Sequence, residues 1–188
     1  MKNSIVISRS PLLIAMVILT VILLSCENKI DFIPKSDFIT LPSVTAKNFE
    51  TVYSDSGRLQ LIITSPLAEQ YDTKDNPHAD FKSGIKVQYF DGKAKPEGYV
   101  TAKYARYTKT DNIWELRDSV VVLNQNNDKL ETEVLFWNQD KDFIYTDRFV
   151  KITNEDQIIQ GFGFESDARL VKRRIKKVTA TIYLKNEE

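Results

Sequence analysis

From Phe49 onward the chain is a succession of short runs in which apolar and polar residues alternate, each closed by turn-forming residues. A period of two puts successive side chains on opposite faces of an extended backbone, which is the pattern of half-buried β-strands. After a first strand over Phe49 to Ser54 come Arg58 to Leu67, then the polar stretch Asp72 to Asp80, read as a loop. Ile85, Val87 and Tyr89 alternate with Lys86 and Gln88 before a turn at Asp91-Gly92. Tyr99 to Thr108, Ile113 to Leu116 and Ser119 to Leu123 continue the pattern up to the polar turn Asn124 to Asp128. Leu130 to Trp137, Phe143 to Ile152, Gln157 to Phe164 and Val178 to Leu184 complete it. No stretch past the N-terminal region keeps a helical period over about eleven residues. The expected class is all-β, a sandwich, roll or barrel.

Several runs are apolar on both faces. Alternation puts Leu130, Thr132, Val134 and Phe136 on one side of their strand, with Leu135 and Trp137 on the other. Tyr89 and Phe90 are adjacent, as are Phe149 and Val150. Two explanations stand at this point: bulges that shift the register, or a roll whose interior is not filled by its own side chains.

The N-terminus carries a different signal. Lys2 and Arg9 precede the apolar run Leu12 to Leu24, which is short of the roughly 20 residues a membrane-spanning helix needs. It fits the apolar core of a secretory signal. The run ends in Leu23-Leu24-Ser25-Cys26, similar to a bacterial lipobox, whose chemistry needs the cysteine at the new N-terminus. Cys26 is the only cysteine of the 188 residues, so an intrachain disulfide is excluded. The expected organisation is a signal peptide over 1–25, a lipid-anchored tether over 26–44 and a periplasmic domain over 45–188.

Charge is balanced, with 26 basic and 26 acidic residues, which gives no electrostatic reason to bind nucleic acid. Candidate chemistry is sparse. His78 is the only histidine and sits in the polar stretch beside Pro77. One histidine and one lipidated cysteine cannot build a structural zinc site or a Ser-His-Asp arrangement. Glu131 with Glu133, and Asp140 with Asp142, read as solvated pairs. Asp72, Asp75 and Asp80 lack the spacing of a calcium loop, and Gly161-Phe162-Gly163-Phe164 lacks the third glycine of a nucleotide loop. The basic cluster Lys172 to Lys177 reads as a solvated turn or as a surface facing anionic lipid head groups. The expectation is a protein that is not an enzyme and uses no cofactor and no metal.

Ordered motifs along the domain resemble the LptC-type lipopolysaccharide-export proteins, particularly the lipoprotein form of the Bacteroidetes group. They begin with Ser65-Pro66-Leu67-Ala68-Glu69, Phe81-Lys82-Ser83-Gly84-Ile85 and Thr101-Ala102-Lys103-Tyr104-Ala105. Trp114 to Val122, Leu130 to Asn138, Ile144-Tyr145-Thr146-Asp147, Val150-Lys151-Ile152 and Ile159 to Asp167 follow in order. The resemblance spans about Val44 to Leu184. It departs from enterobacterial relatives, which are held by a transmembrane helix where this chain has a lipobox.

The resemblance implies a single twisted open β-jelly roll of the LptA/LptC/OstA kind. It implies lipopolysaccharide as cargo, taken from an inner-membrane ABC transporter with LptB-, LptF- and LptG-type subunits. An LptA-type periplasmic bridge protein, joined by edge-strand pairing, would receive it. The inner membrane is the favoured location of the anchor. Groove-lining candidates are Ile85, Val87, Tyr89, Val120, Val122, Leu130, Val134, Phe136, Phe149 and Phe162. Gly161 and Gly163 are candidates for a bulge or a close backbone approach. Thr45 to Tyr53 and Val178 to Leu184 are the terminal strands and hence the docking edges. The rival reading is a β-sandwich envelope lipoprotein that binds carbohydrate or another protein without a lipid groove. It would call for Trp114 and Trp137 on one flat exposed face.

Overall fold

The computed structural model describes residues 41–167, 170 and 172–184; the signal segment, Cys26 and most of the tether lie outside them. Alternation becomes strand almost everywhere it was read. The strands are β1 (Val44–Asp55), β2 (Arg58–Tyr71), β3 (His78–Phe81), β4 (Ile85–Tyr89), β5 (Gly98–Ala102) and β6 (Tyr104–Thr108). They continue as β7 (Ile113–Leu123), β8 (Lys129–Asn138), β9 (Phe143–Thr153), β10 (Gln157–Asp167) and β11 (Arg174–Tyr183). All belong to one antiparallel sheet of 11 strands within the compact unit Ile39–Glu188.

Pairing explains the broken strands. β4 and β3 lie end to end along β2, through Leu61–Thr64 and Glu69–Tyr71 respectively. β5 and β6 lie end to end along β7 in the same way. The sheet is therefore an up-and-down meander in which spatial order follows the sequence, with β1 and β11 as its two edges.

Each strand is interrupted near its middle, and the interruptions line up across the sheet. Asn48 (φ 51°) faces Pro66, which has no N–H to donate. Gly84 (φ 94°) separates β3 from β4, and Lys103 separates β5 from β6. Asp118 and Ser119 take φ of 63° and 57° within β7, a conformation that short polar side chains tolerate best. The register then shifts between Thr132 and Phe136 in β8, and at Gly163 (φ 72°) in β10. Bulges bend a strand, so a line of them creases the sheet.

Buried hydroxyls satisfy backbone groups along that crease. Ser65 Oγ donates to the Gly84 carbonyl at 2.7 Å, and Thr132 Oγ1 donates to the Phe149 carbonyl at 2.8 Å. Thr146 Oγ1 accepts the Arg148 N–H at 3.1 Å. All three side chains are buried, where an unpaired carbonyl or N–H would be costly.

The crease brings opposite strand ends together. Asp128, at the β7–β8 turn, accepts a hydrogen bond from Arg173 Nη1 at 2.7 Å. Arg173 stands just before β11, at the other end of the strands. Leu170, from the same β10–β11 connection, is buried in the core cluster. Both halves of each strand thus turn their inner faces to one core, and the fold is an all-β jelly roll.

Three readings of the sequence need correction. His78 to Asp80 are not loop: they form β3, and Asp80 is buried against Arg106, which comes 26 residues later. Arg174 to Lys177 are not a turn: they open β11, where Ile175 alone of the four packs on the core. Val134 and Phe136 do not share a face with Leu130 and Thr132. The register shift in β8 turns Leu135 inward, so Val134 and Phe136 point outward.

Candidate functional site

The inner face supplies the candidate site. Cross-strand partners lie on the same side of a sheet, so the pairings define a row running Ile63, Val87, Val100, Val122, Leu130, Ile152 and Ile159. Beside it lie Ile85, Ala102, Val120, Thr132 and Val150, all buried. Of the ten groove candidates, Ile85, Val87, Tyr89, Val120, Val122 and Leu130 are brought together here. Tyr89 donates from its hydroxyl to the Leu123 carbonyl at 2.9 Å, its ring lying over Gly98. Burial, with the Glu97 carboxylate nearby, pushes the Tyr89 phenol up to about 12.

The other four candidates sit on the opposite face. Val134 and Phe136 form the floor of an outer depression of about 600 Å³, walled by Glu115, Arg117, Asp147 and Arg148. Phe136 stacks on Tyr145 at 5.3 Å. Phe149 and Phe162 are 42% and 48% exposed and meet edge to face at 5.4 Å. Alternation could not separate Val134, Phe136 and Phe162 from the inner set, because the parity of β8 and β10 changes at the crease. Phe149 is on β9, where Ile144, Thr146, Val150 and Ile152 are buried throughout, and alternation with them puts it outward. Gly161 is packed under the Lys177 carbonyl and Ile175, and Gly163 stands at the register shift.

The inner face also holds residues that the groove list lacked. Trp114 and Trp137 are register partners on β7 and β8, in the row Ala79, Tyr107, Trp114, Trp137, Ile144 and Ser166. Trp114 is 9% exposed and packs between Phe81 and Tyr107, at 5.6 and 4.9 Å. Neither indole forms the flat exposed platform that the carbohydrate-binding reading required. Their one sequence signal was parity with Leu116 and Leu135.

Polar groups elsewhere are consumed in pairs. Asp80 accepts from Arg106 Nε at 2.7 Å, Arg106 Nη2 at 2.9 Å and the Tyr104 hydroxyl at 3.0 Å. Burial raises its carboxyl pKa, but the bonds from Arg106 and Tyr104 outweigh that and hold it below the ordinary value. Glu131 is likewise held low, first by its hydrogen bond from Lys129, against the effect of burial. His78 stacks on Tyr71 at 4.8 Å. Asp72 pairs with Lys109 at 3.2 Å, so it shares no site with Asp80. Among the described residues no group of three or more His, Cys, Asp or Glu is placed to hold a metal ion.

The two edges complete the geometry. β1 pairs only with β2 and exposes Val44, Val52 and Tyr53; β11 pairs only with β10 and exposes Val178, Ile182 and Tyr183. A creased sheet with an apolar interior and two unpaired edges is now defined, and a family model for lipopolysaccharide assembly, LptC-related, matches residues 11–184. The chain belongs to the LptC family. No curated protein gives a match. Membership brings a role in lipopolysaccharide transport, in the periplasm and in association with the inner membrane. It also brings interaction with lipopolysaccharide and with other components of the Lpt machinery. LptC proteins are transport and binding components.

Proposed function

We propose that this LptC-family chain accepts lipopolysaccharide from the inner-membrane ABC transporter of LptB-, LptF- and LptG-type subunits. It carries the acyl chains on its inner face and passes them to an LptA-type bridge. The observation that supports this most is the continuous inner row from Ile63 to Ile159, apolar at every position. Each acyl CH₂ removed from water there is worth about 0.8 kcal/mol. Ile85, Val87, Tyr89, Val120, Val122 and Leu130 are the lining residues in this reading. Energy comes from the transporter's ATPase, and the chain performs no catalysis and holds no cofactor.

The edges β1 and β11 offer unpaired backbone groups for strand addition by neighbouring rolls. Residues 1–25 act as a signal peptide, and Cys26, acylated, holds the tether 26–44 at the inner membrane. Two acyl chains anchor stably where one does not.

Photo-crosslinking in lipopolysaccharide-producing cells tests the cargo. A photoreactive amino acid replacing Val122 or Leu130 is expected to yield a lipopolysaccharide adduct, and one replacing the outer-face Phe136 or exposed Lys109 is not. Adducts at Phe136 and none at Val122 or Leu130 would put the lipid on the wrong face and refute the reading.

A further inference from the structure

Among the described residues, two buried side-chain polar atoms are left unused by the fold. The Nε1 atoms of Trp114 and Trp137 are buried and have no hydrogen-bond partner. They belong to register partners on β7 and β8, so the two donor-bearing side chains are cross-strand neighbours on the inner face. Other polar groups near them are satisfied: the Tyr107 hydroxyl donates to Asn112 Oδ1 at 2.8 Å, and Thr146 Oγ1 accepts from Arg148. A buried donor without an acceptor is a standing cost, and native structures hold few of them. Two together, where phenylalanine would fill similar space without that cost, mark a place that awaits an acceptor.

We propose that Trp114 and Trp137 form a donor subsite for the carbonyl or hydroxyl oxygens of acyl chains carried in the interior. The inference rests on the lipid-carrying reading above and adds to it a polar fixed point. The surroundings select the class of acceptor. Register neighbours of the pair are Tyr107 and Ile144, and the rings of Phe81 and Tyr107 flank Trp114. No cation belongs to this row, so a phosphate would lose its hydration without gaining a counter-charge. A neutral ester, amide or hydroxyl oxygen loses far less, and a neutral N–H suits it. Pure hydrocarbon offers nothing to the two donors. The subsite therefore distinguishes oxygen-bearing acyl chains from plain alkyl chains, and it sets how far along the trough the chains' oxygen-bearing ends come to rest.

The chain has only two tryptophans, so its indole ¹H–¹⁵N spectrum contains two signals that report on this subsite alone. The full chain in alkyl-maltoside micelles is titrated with lipid A, and separately with hexadecane. Both indole signals are expected to move downfield with lipid A and to lack that shift with hexadecane. The double variant Trp114→Phe/Trp137→Phe is expected to bind lipid A roughly tenfold more weakly and to bind hexadecane as before. The inference is overturned if lipid A binds while both indole signals stay in place, or if the folded double variant keeps its affinity. Water cross-peaks to both indoles that persist with lipid bound would also overturn it, since water would then be the acceptor. If the unaltered chain fails to bind lipid A at all, the lipid-carrying reading falls and the subsite falls with it. The spectra of the unaltered chain decide the matter even where the double variant does not fold.

Discussion

Replacing Arg106 with alanine removes two of the three hydrogen bonds that hold the Asp80 carboxylate. Asp80 is 3% exposed, and its Oδ2 is bonded by Arg106 Nη2 at 2.9 Å while Oδ1 keeps the Tyr104 hydroxyl at 3.0 Å. Breaking a fully buried ion pair from one side costs about 3–5 kcal/mol, because a charge is left without its partner. The Arg106 side chain is itself 34% exposed, so water reaches part of the vacated space. The expected loss for Arg106→Ala is therefore about 2–3 kcal/mol. In a chain of this length that lowers the melting temperature by roughly 5–10 °C.

Urea and thermal unfolding of the full chain would measure the loss. Asp80→Asn removes the charge, so the double variant Asp80→Asn/Arg106→Ala should lose less than the sum of the single changes, by about 1 kcal/mol or more. The pH dependence carries the same logic. The folded Asp80 carboxyl lies below its ordinary value, so its contribution is complete above about pH 4 and is lost as pH falls through the folded value. Without Arg106, burial dominates and the folded value rises above the unfolded one. That variant loses stability as pH rises through it. The gap between the two proteins should thus be widest near neutrality and close below about pH 4. A loss under about 0.5 kcal/mol at neutral pH, or strict additivity in the double variant, would refute the reasoning.

Thr132→Val keeps the volume at the crease but strands the Phe149 carbonyl that Thr132 Oγ1 bonds at 2.8 Å. Denaturant unfolding should show a loss of about 1–2 kcal/mol, and an unchanged midpoint would mean the hydroxyl is not needed there. At Gly98 a Cβ would collide with the Leu123 carbonyl and the Tyr89 ring, both of which are held by pairing. Gly98→Ala should cost about 1–3 kcal/mol, against near neutrality if the β4–β5 hairpin can shift. The Tyr89 phenol, pushed up to about 12, should be absent from the tyrosine groups that ionise near pH 10 in an ultraviolet titration of the folded chain. Its appearance in that first group would place its ring in water.

Much of the fold is legible in local pattern. The alternation at Ile85, Val87 and Tyr89, and at Val120 and Val122, marks inner-face residues correctly because no bulge intervenes within those segments. Leu130 lies on the inner face for the same reason, but its neighbours Val134 and Phe136 lie beyond the shift after Thr132 and exchange faces. β3 is illegible because His78 and Asp80 are polar for the sake of partners on other strands, Tyr71 and Arg106. Read locally, such residues look like loop. The Arg174 to Lys177 stretch fails in the same sense for a different reason: an edge strand can be charged on both sides, since only one neighbour packs against it.

The sequence alone determined the β class, most of the strands in their order along the chain and the family motifs, because each depends on neighbours a few residues apart. Only the tertiary structure decided which face each residue takes beyond the crease, and that the two Trp indoles turn inward together. Strand parity is a running count that a single bulge inverts. Whether a bulge forms is set by the partner strand, by hydroxyls such as Ser65 and Thr132 that satisfy the broken ladder, and by the closure between Arg173 and Asp128, 45 residues apart. None of those conditions is local, so no reading of local pattern could contain them.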